Sequence, residues 1–375
     1  MTIQQHLQLR TGISLALGLA LCGATVAMAQ STPAPAPTSS SVSGDDRQDV
    51  PIDAAARKLA IESLIARIDE YYPIPEVRKR LTTQLSKRYK AGAYDKIVSA
   101  KVFRTQLTSD LREISKDKHF NVDYFVMPRP FPPREQEDVD PNSSRKLIAS
   151  VHNQGFDTVE RLSGNIGYMR LRTFEEPGET GEVIAAAMRF LSRTDAMIID
   201  LRENRGGYGE SVAFLASYFL PDATALSEVR SKDGLKQVWT SAFVPGPKYL
   251  DKPVYVLMSK STFSAPESFA YDLQALKRVT VVGEVSRGGA NPSLQLLLSD
   301  RFGVILPHAV TRNPITNTNW DGKGVVPDIP ATSDQALDVA HLAAARAIAP
   351  AHRDDSLTGE IDEVIGKLGG TTTGR

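Results

Sequence analysis

The chain has 375 residues, enough for two domains, or for one large and one small. Hydrophobic residues at 41% and charged residues at 23% exclude collagen, coiled coil and a wholly disordered chain. Lys plus Arg and Asp plus Glu both total 44, so no net field favours nucleic acid, and the one cysteine, Cys22, excludes a disulfide framework or a cysteine-ligated zinc site within one chain.

Residues 1–29 read as a signal peptide: Arg10 is the positive region, Gly12 to Ala24 the short apolar run and Ala27-Met28-Ala29 the cleavage site. The apolar run is shorter than the roughly 20 residues of a membrane span. The expectation is export to the periplasm, the cell surface or the medium, with no stable membrane insertion after cleavage. Residues 30–50 are rich in Pro, Ala, Ser and Thr and form a linker.

Residues 51–120 read as a small helical bundle. Ile52 to Tyr72 carries Leu59, Ile61, Leu64, Ile65 and Ile68 on one stripe. Val77 to Tyr89 has Leu81, Leu85 and Tyr89 four apart, and Ser99 to Ile114 has Phe103, Leu107 and Leu111 four apart. Asn121 to Phe125 is a strand, and Pro128 to Ser144 is polar, Pro-rich and loop-like.

Strands and helices then alternate through residues 121–350. The strands are Asn165 to Arg172, Ala196 to Arg202, Val254 to Ser259 and Val279 to Glu284. The helices are Glu182 to Arg193, Gly209 to Leu220, Pro266 to Lys277 and Gln335 to Ala349. Leu294 to Leu298 and Phe302 to Pro307 form a hairpin. This order predicts an α/β layer. Residues 351–375 read as a polar tail.

Three stretches carry candidate chemistry. Ser264 stands where a buried strand turns into a helix, in the field of the helix N-terminus and beside free N–H groups. Such groups hold a developing oxyanion. Ser264-Ala265-Pro266-Glu267 also fits a capping box. Asp200 to Gly207 ends a buried strand in a glycine pair, whose N–H groups can converge on one point or simply turn the chain. The pattern fails both G-x-G-x-x-G and the P-loop. Of the histidines, His119 lies between the bundle and the next strand, where clefts form. H-E-x-x-H is absent, so no metal is expected.

At these residues the sequence resembles the tail-specific (C-terminal-processing) serine peptidase family, in the branch related to interphotoreceptor retinoid-binding protein and tricorn core protease. Asp200-Leu201-Arg202-x-Asn204-x-Gly206-Gly207 and Thr262-x-Ser264-Ala265-x-Glu267 match its motifs. So do Gly283-Glu284-x-x-x-Gly288-Gly289-Ala290, Gly324-Val325-x-Pro327-Asp328 and Asp117-x-His119. The resemblance implies a crotonase/ClpP-like layered α/β core behind the bundle, with a peptide or protein as substrate and no cofactor. It implies Ser264 as nucleophile and His119 as general base. Gly207 and Ala265 would form the oxyanion hole, with Gly206 and Glu267 supporting it. Gly289 stands where many members carry a catalytic lysine, which favours the histidine-based branch. Lys118 and Asp321 stand where that branch has a hydroxyl residue and a glutamate; Asp321 is the expected orienting group for the His119 side, directly or through another group. The stretch between His119 and Asn165 is too short for the PDZ domain many members carry. The branch also implies an alternative: a retinoid- or fatty-acid-type carrier on the same fold, with Ser264 reduced to a cap.

Overall fold

The computed structural model describes residues 47–131, 143–353 and 355–371. The expected signal peptide and most of the linker lie outside these residues. Three helices come first: α1 Ala54–Tyr71, α2 Pro75–Lys90 and α3 Ala100–Ser115. Asp53 and Ser99 cap α1 and α3 by accepting from Ala56 and Val102 N–H, and Pro75 opens α2. Lys116, in the left-handed region, ends α3. Strand β1 (Asn121–Tyr124) follows.

The next elements are α4 Ser143–Val151, β2 Phe156–Leu162, β3 Ile166–Leu171, α5 Pro177–Leu191, β4 Ala196–Asp200 and α6 Gly209–Ala216. Then come β5 Ala225–Ser231, β6 Gly234–Trp239, β7 Val254–Met258, α7 Ala265–Ala275, β8 Thr280–Gly283 and β9 Ser293–Leu297. The chain closes with β10 Phe302–Pro307, β11 Ala309–Arg312, β12 Ile329–Pro330, α8 Ala336–Ile348 and α9 Thr358–Thr371.

The main sheet runs β12-β8-β7-β4-β3-β2, parallel except where β2 pairs antiparallel with β3. Its central strands are apolar on both faces, as a covered parallel sheet requires. On β4, Met197 and Ile199 face the core built with α5, α6 and α7, while Ile198 faces the one built with α8 and α9. Val256 and Leu257 divide in the same way on β7. The result is a helix–sheet–helix core, as the alternating pattern predicts.

Two departures from the sequence expectation have simple causes. The hairpin β9–β10 pairs with β1, and Phe302, Val304 and Leu306 join the core of the helical bundle. The bundle therefore takes strands from both ends of the chain. The second departure corrects the expected polar tail: residues 358–371 are helical, and Ile361 and Val364 are buried against α8. Ile361, Val364, Ile365 and Leu368 follow a 3–4 spacing, which gives the helix an apolar stripe.

Candidate active site

Buried β7 delivers the chain to Ser264 through a turn clamped onto the end of β4. Thr262 Oγ1 accepts from Ser259 N–H (3.0 Å) and donates to the Leu201 carbonyl (2.9 Å). Ser259 and Ser261 hydroxyls donate to the Arg202 carbonyl (2.5 and 2.7 Å). Phe263 N–H donates to the Asn204 carbonyl at 3.2 Å. Arg202 is itself fixed by two hydrogen bonds to Asp200 (2.9 and 2.6 Å). Ser264 then takes φ 70°, ψ −116° at the N-cap of α7. An ordinary capping serine is extended. A non-glycine residue held in such a region costs on the order of 1–3 kcal/mol and persists only when its surroundings impose it.

Glu267 is the principal restraint. It is fully buried, and its Oε2 accepts from Ser264 N–H (2.6 Å) and Gly289 N–H (2.9 Å). Oε1 accepts from Gly288 N–H (2.6 Å) and the Ser286 hydroxyl (2.5 Å). Burial raises its carboxyl above the usual range despite these four donors. Glu267 thus caps the helix and ties the serine turn to the 288–290 loop.

Gly206 and Gly207 pack against this turn, at φ 135° and 134°. A Cβ on Gly206 would sit 3.6 Å from Ser264 Cβ; one on Gly207 would come within 1.9 Å of the Phe174 carbonyl oxygen. Phe174 N–H donates to the Gly206 carbonyl (3.0 Å), and Tyr208 N–H donates to the Phe174 carbonyl (2.8 Å). This bridge uses the groups flanking Gly207 and leaves the Gly207 N–H without a partner among the described residues. Ala265 N–H, the first of α7, likewise has none.

His119 is buried between the bundle and the core. Its Nδ1 lies 3.1 Å from Asp117 Oδ1, which also accepts the His119 backbone N–H at 2.9 Å. Asn291 Nδ2 donates to the other Asp117 oxygen at 3.1 Å. Burial pushes the Asp117 carboxyl up, but the hydrogen bonds and charge of His119 and the bond from Asn291 outweigh it, so it sits below the usual range and is ionised near neutrality. With Nδ1 so held, Nε2 has no partner among the described residues. The imidazole packs on Phe263, the residue before Ser264, with ring centroids 4.7 Å apart. No hydrogen bond joins Nε2 to Ser264 Oγ in this structure.

Gly289 makes this packing possible. A Cβ there would lie 2.2 Å from the Phe263 ring and 2.9 Å from His119 Cε1. The two rings fill the space that any side chain at this position would enter. Gly289→Ala is therefore expected to push His119 out of line; were the imidazole a reacting group, an error near 1 Å would lower kcat by about 100-fold. Steady-state kinetics beside a melting curve would check it; unchanged kcat in a folded variant would contradict it.

Asp321 does not bond to the imidazole. Its Oδ1 accepts from Ala290 N–H at 3.1 Å, while Trp320 Nε1 donates to the Gly289 carbonyl at 2.9 Å. A direct bond is one of the two ways open to Asp321; here Asp117, two residues before the histidine on the same turn, makes it. Asp117, His119 and Asp321 nonetheless present donor atoms within 4.8 Å of one another. Burial, reinforced by the charge of Asp117, pushes the Asp321 carboxyl up to about 6. A carboxyl raised on folding contributes stability below its unfolded value of 3.8, and loses it as pH rises through about 6. Asp321→Asn is expected to stabilise the fold at pH 8 by about 2–3 kcal/mol, two pKa units' worth, and little at pH 4. Melting temperatures at the two pH values would show it; an equal shift at both would contradict it. Lys118 Nζ donates to the Arg287 carbonyl at 2.5 Å, bracing the same loop.

The geometry brings Ser264, the Gly206–Gly207 turn, Glu267 and the 288–290 loop into one constellation, with His119 over Phe263. Comparison with known proteins gives it a family. Residues 165–331 match the model of peptidase family S41, and residues 54–154 match the N-terminal domain of peptidase S41 in eukaryotic IRBP. The chain belongs to peptidase family S41. A chloroplastic carboxyl-terminal-processing peptidase 2 from Arabidopsis thaliana is 28% identical over 205 residues, 52% of this chain and 36% of the relative. A carboxyl-terminal-processing protease from Synechocystis is 30% identical over 170 residues, 45% of this chain and 38% of the relative. The chain thus spans little more than a third of the length of these curated relatives. A solved structure from Parabacteroides merdae superposes with TM-score 0.52 at 20% identity, covering 74% of this chain and 90% of that one; the likeness is one of fold.

Two residues of this S41 site escaped sequence reasoning in their roles. Asp117 was visible in the Asp-x-His pattern, where a carboxylate two residues before a histidine can fold back on it. Asn291, which holds Asp117 from 174 residues away, leaves no local signal.

Proposed function

We propose that this S41 chain is a serine-type peptidase that cleaves peptide bonds through an acyl-enzyme on Ser264. The observation carrying this reading is His119: a buried imidazole anchored at Nδ1 by an ionised Asp117, with Nε2 unpaired among the described residues and its ring on the residue before a strained serine. Ser264 Oγ adds to the scissile carbonyl carbon as its proton passes to His119 Nε2. The Gly207 and Ala265 N–H groups receive the oxyanion. Collapse breaks the C–N bond, and Nε2 returns the proton to the leaving amine. Water, deprotonated by the same nitrogen, then releases the acyl group. Asp117 keeps the imidazole in the tautomer that accepts at Nε2.

Among the described residues no helix is long and apolar enough to cross a membrane. The residue 1–29 pattern supports export, and so a peptide or protein substrate outside the cytoplasm.

A second reading, an apolar-ligand carrier, draws on one observation: a groove of about 630 Å³ beside the site, walled partly by Phe214, Val238 and half-exposed Trp239. Incubating the protein with a defined peptide mixture and mapping products by mass spectrometry separates the two. New termini absent with Ser264→Ala support the peptidase. Intact peptides together with saturable retinol or fatty-acid binding support the carrier.

A further inference from the structure

Ser264, Ser268 and Asp272 stand at four-residue intervals on α7 and line one cavity of about 150 Å³. Apolar side chains such as Val212, Leu226 and Trp320 form much of its wall. Asp272 is 1% exposed. Its two oxygens accept from neutral groups only, Asn313 Nδ2 at 2.8 Å and the Ser268 hydroxyl at 3.0 Å. Asn313 is locked in turn: its Nδ2 also donates to the Leu226 carbonyl (3.2 Å), and its Oδ1 accepts from Ile315 and Thr316 N–H (2.9 and 3.0 Å). No cation pairs with Asp272 among the described residues. Burial without a countercharge pushes its carboxyl up to about 7. A buried carboxylate lacking a cation is costly unless something supplies one.

We propose that this cavity receives the side chain on the acyl side of the scissile bond, and that Asp272 at its floor selects lysine or arginine there. This rests on the peptidase reading and adds the substrate class. The length fits. Eight helical residues span about 12 Å. Subtracting about 3 Å for the attacking oxygen and about 3 Å for the terminal hydrogen bond leaves about 6 Å, the reach of a lysine or arginine from its own Cα. The apolar wall suits the methylene stem, and the floor supplies the anion for its charged head.

The test uses peptides differing only at that residue: Arg, Lys, Leu or Ala. Wild type is expected to cleave the Arg and Lys peptides with kcat/KM at least about 100-fold above Leu and Ala, and Asp272→Asn to bring the Arg-to-Leu ratio near 1. Product-like peptides ending in Arg or Leu, titrated onto the Ser264→Ala protein, should show the same preference in affinity. That titration and the wild-type ratio decide the matter even where Asp272→Asn does not fold. Cleavage without a basic preference, or a ratio unmoved by Asp272→Asn, overturns the pocket assignment and leaves the peptidase standing. Selective binding of the Arg-ending peptide without cleavage of any peptide upholds the pocket and removes the peptidase.

Discussion

Ser264→Ala and His119→Ala are each expected to reduce peptide hydrolysis by about 10⁴–10⁶-fold, with the double variant scarcely worse than either single one. In the proposed mechanism nucleophile and base act as a unit, so losing one would remove the function of the other, and the residual rate would come from the oxyanion donors and from binding. The fold should survive both changes. The alanine variant loses the Ser264 half of the capping box, but its backbone N–H, held by Glu267, remains. His119 leaves Asp117 still paired with Asn291 and with the residue 119 backbone N–H. Rates and melting curves measured on the same preparations check this. A His119→Ala protein that retains full activity would remove the histidine from the mechanism.

Asp117→Asn is expected to lower kcat by roughly 10⁴-fold with KM little changed. An asparagine fills the same space, but its amide can offer Nδ1 a donor where the carboxylate offered only acceptors. The imidazole then turns over its tautomer, and Nε2 carries the proton it should be taking. On the proposed mechanism, the loss of the neighbouring negative charge would also destabilise the imidazolium formed as Ser264 attacks. A purely structural Asp117 would instead change the melting temperature and leave the kcat-to-KM split untouched. The comparison with Asp321→Asn is informative, since Asp321 is held by Ala290 N–H rather than by the imidazole. Its removal is expected to cost far less in kcat.

Legibility followed the physics of each element. The bundle helices and the strands β4 and β7 could be read directly, because each buries a regular stripe or a continuous apolar run. The polar strands β5 and β6, ALSEVRS and GLKQVW, were invisible: they form a small outer sheet with β11, and β6 is mostly exposed, so no period-2 apolar signal survives. The last helix was missed because its stripe is short and lies among glycines and polar residues. The site divided in the same way. Ser264, Gly206, Gly207 and Glu267 lie in contiguous runs at strand-to-helix turns, where backbone requirements write themselves into the residues: a Cβ at 207 has no room, and a Glu at the third helical position caps. The partners that act across long separations, Asn291 on Asp117 and Asn313 on Asp272, arise only when the chain folds.

The proposed mechanism makes Ser264 an activated nucleophile with His119 as its base. Treating the intact wild-type protein, Ser264→Ala and His119→Ala with a serine-directed fluorophosphonate, and locating the adduct by peptide mass spectrometry, tests it most directly. Wild type is expected to carry a single phosphonyl adduct on Ser264, absent from Ser264→Ala and slowed by several orders of magnitude in His119→Ala. Folded wild type that takes no label, or a label that forms equally fast without His119, would contradict it.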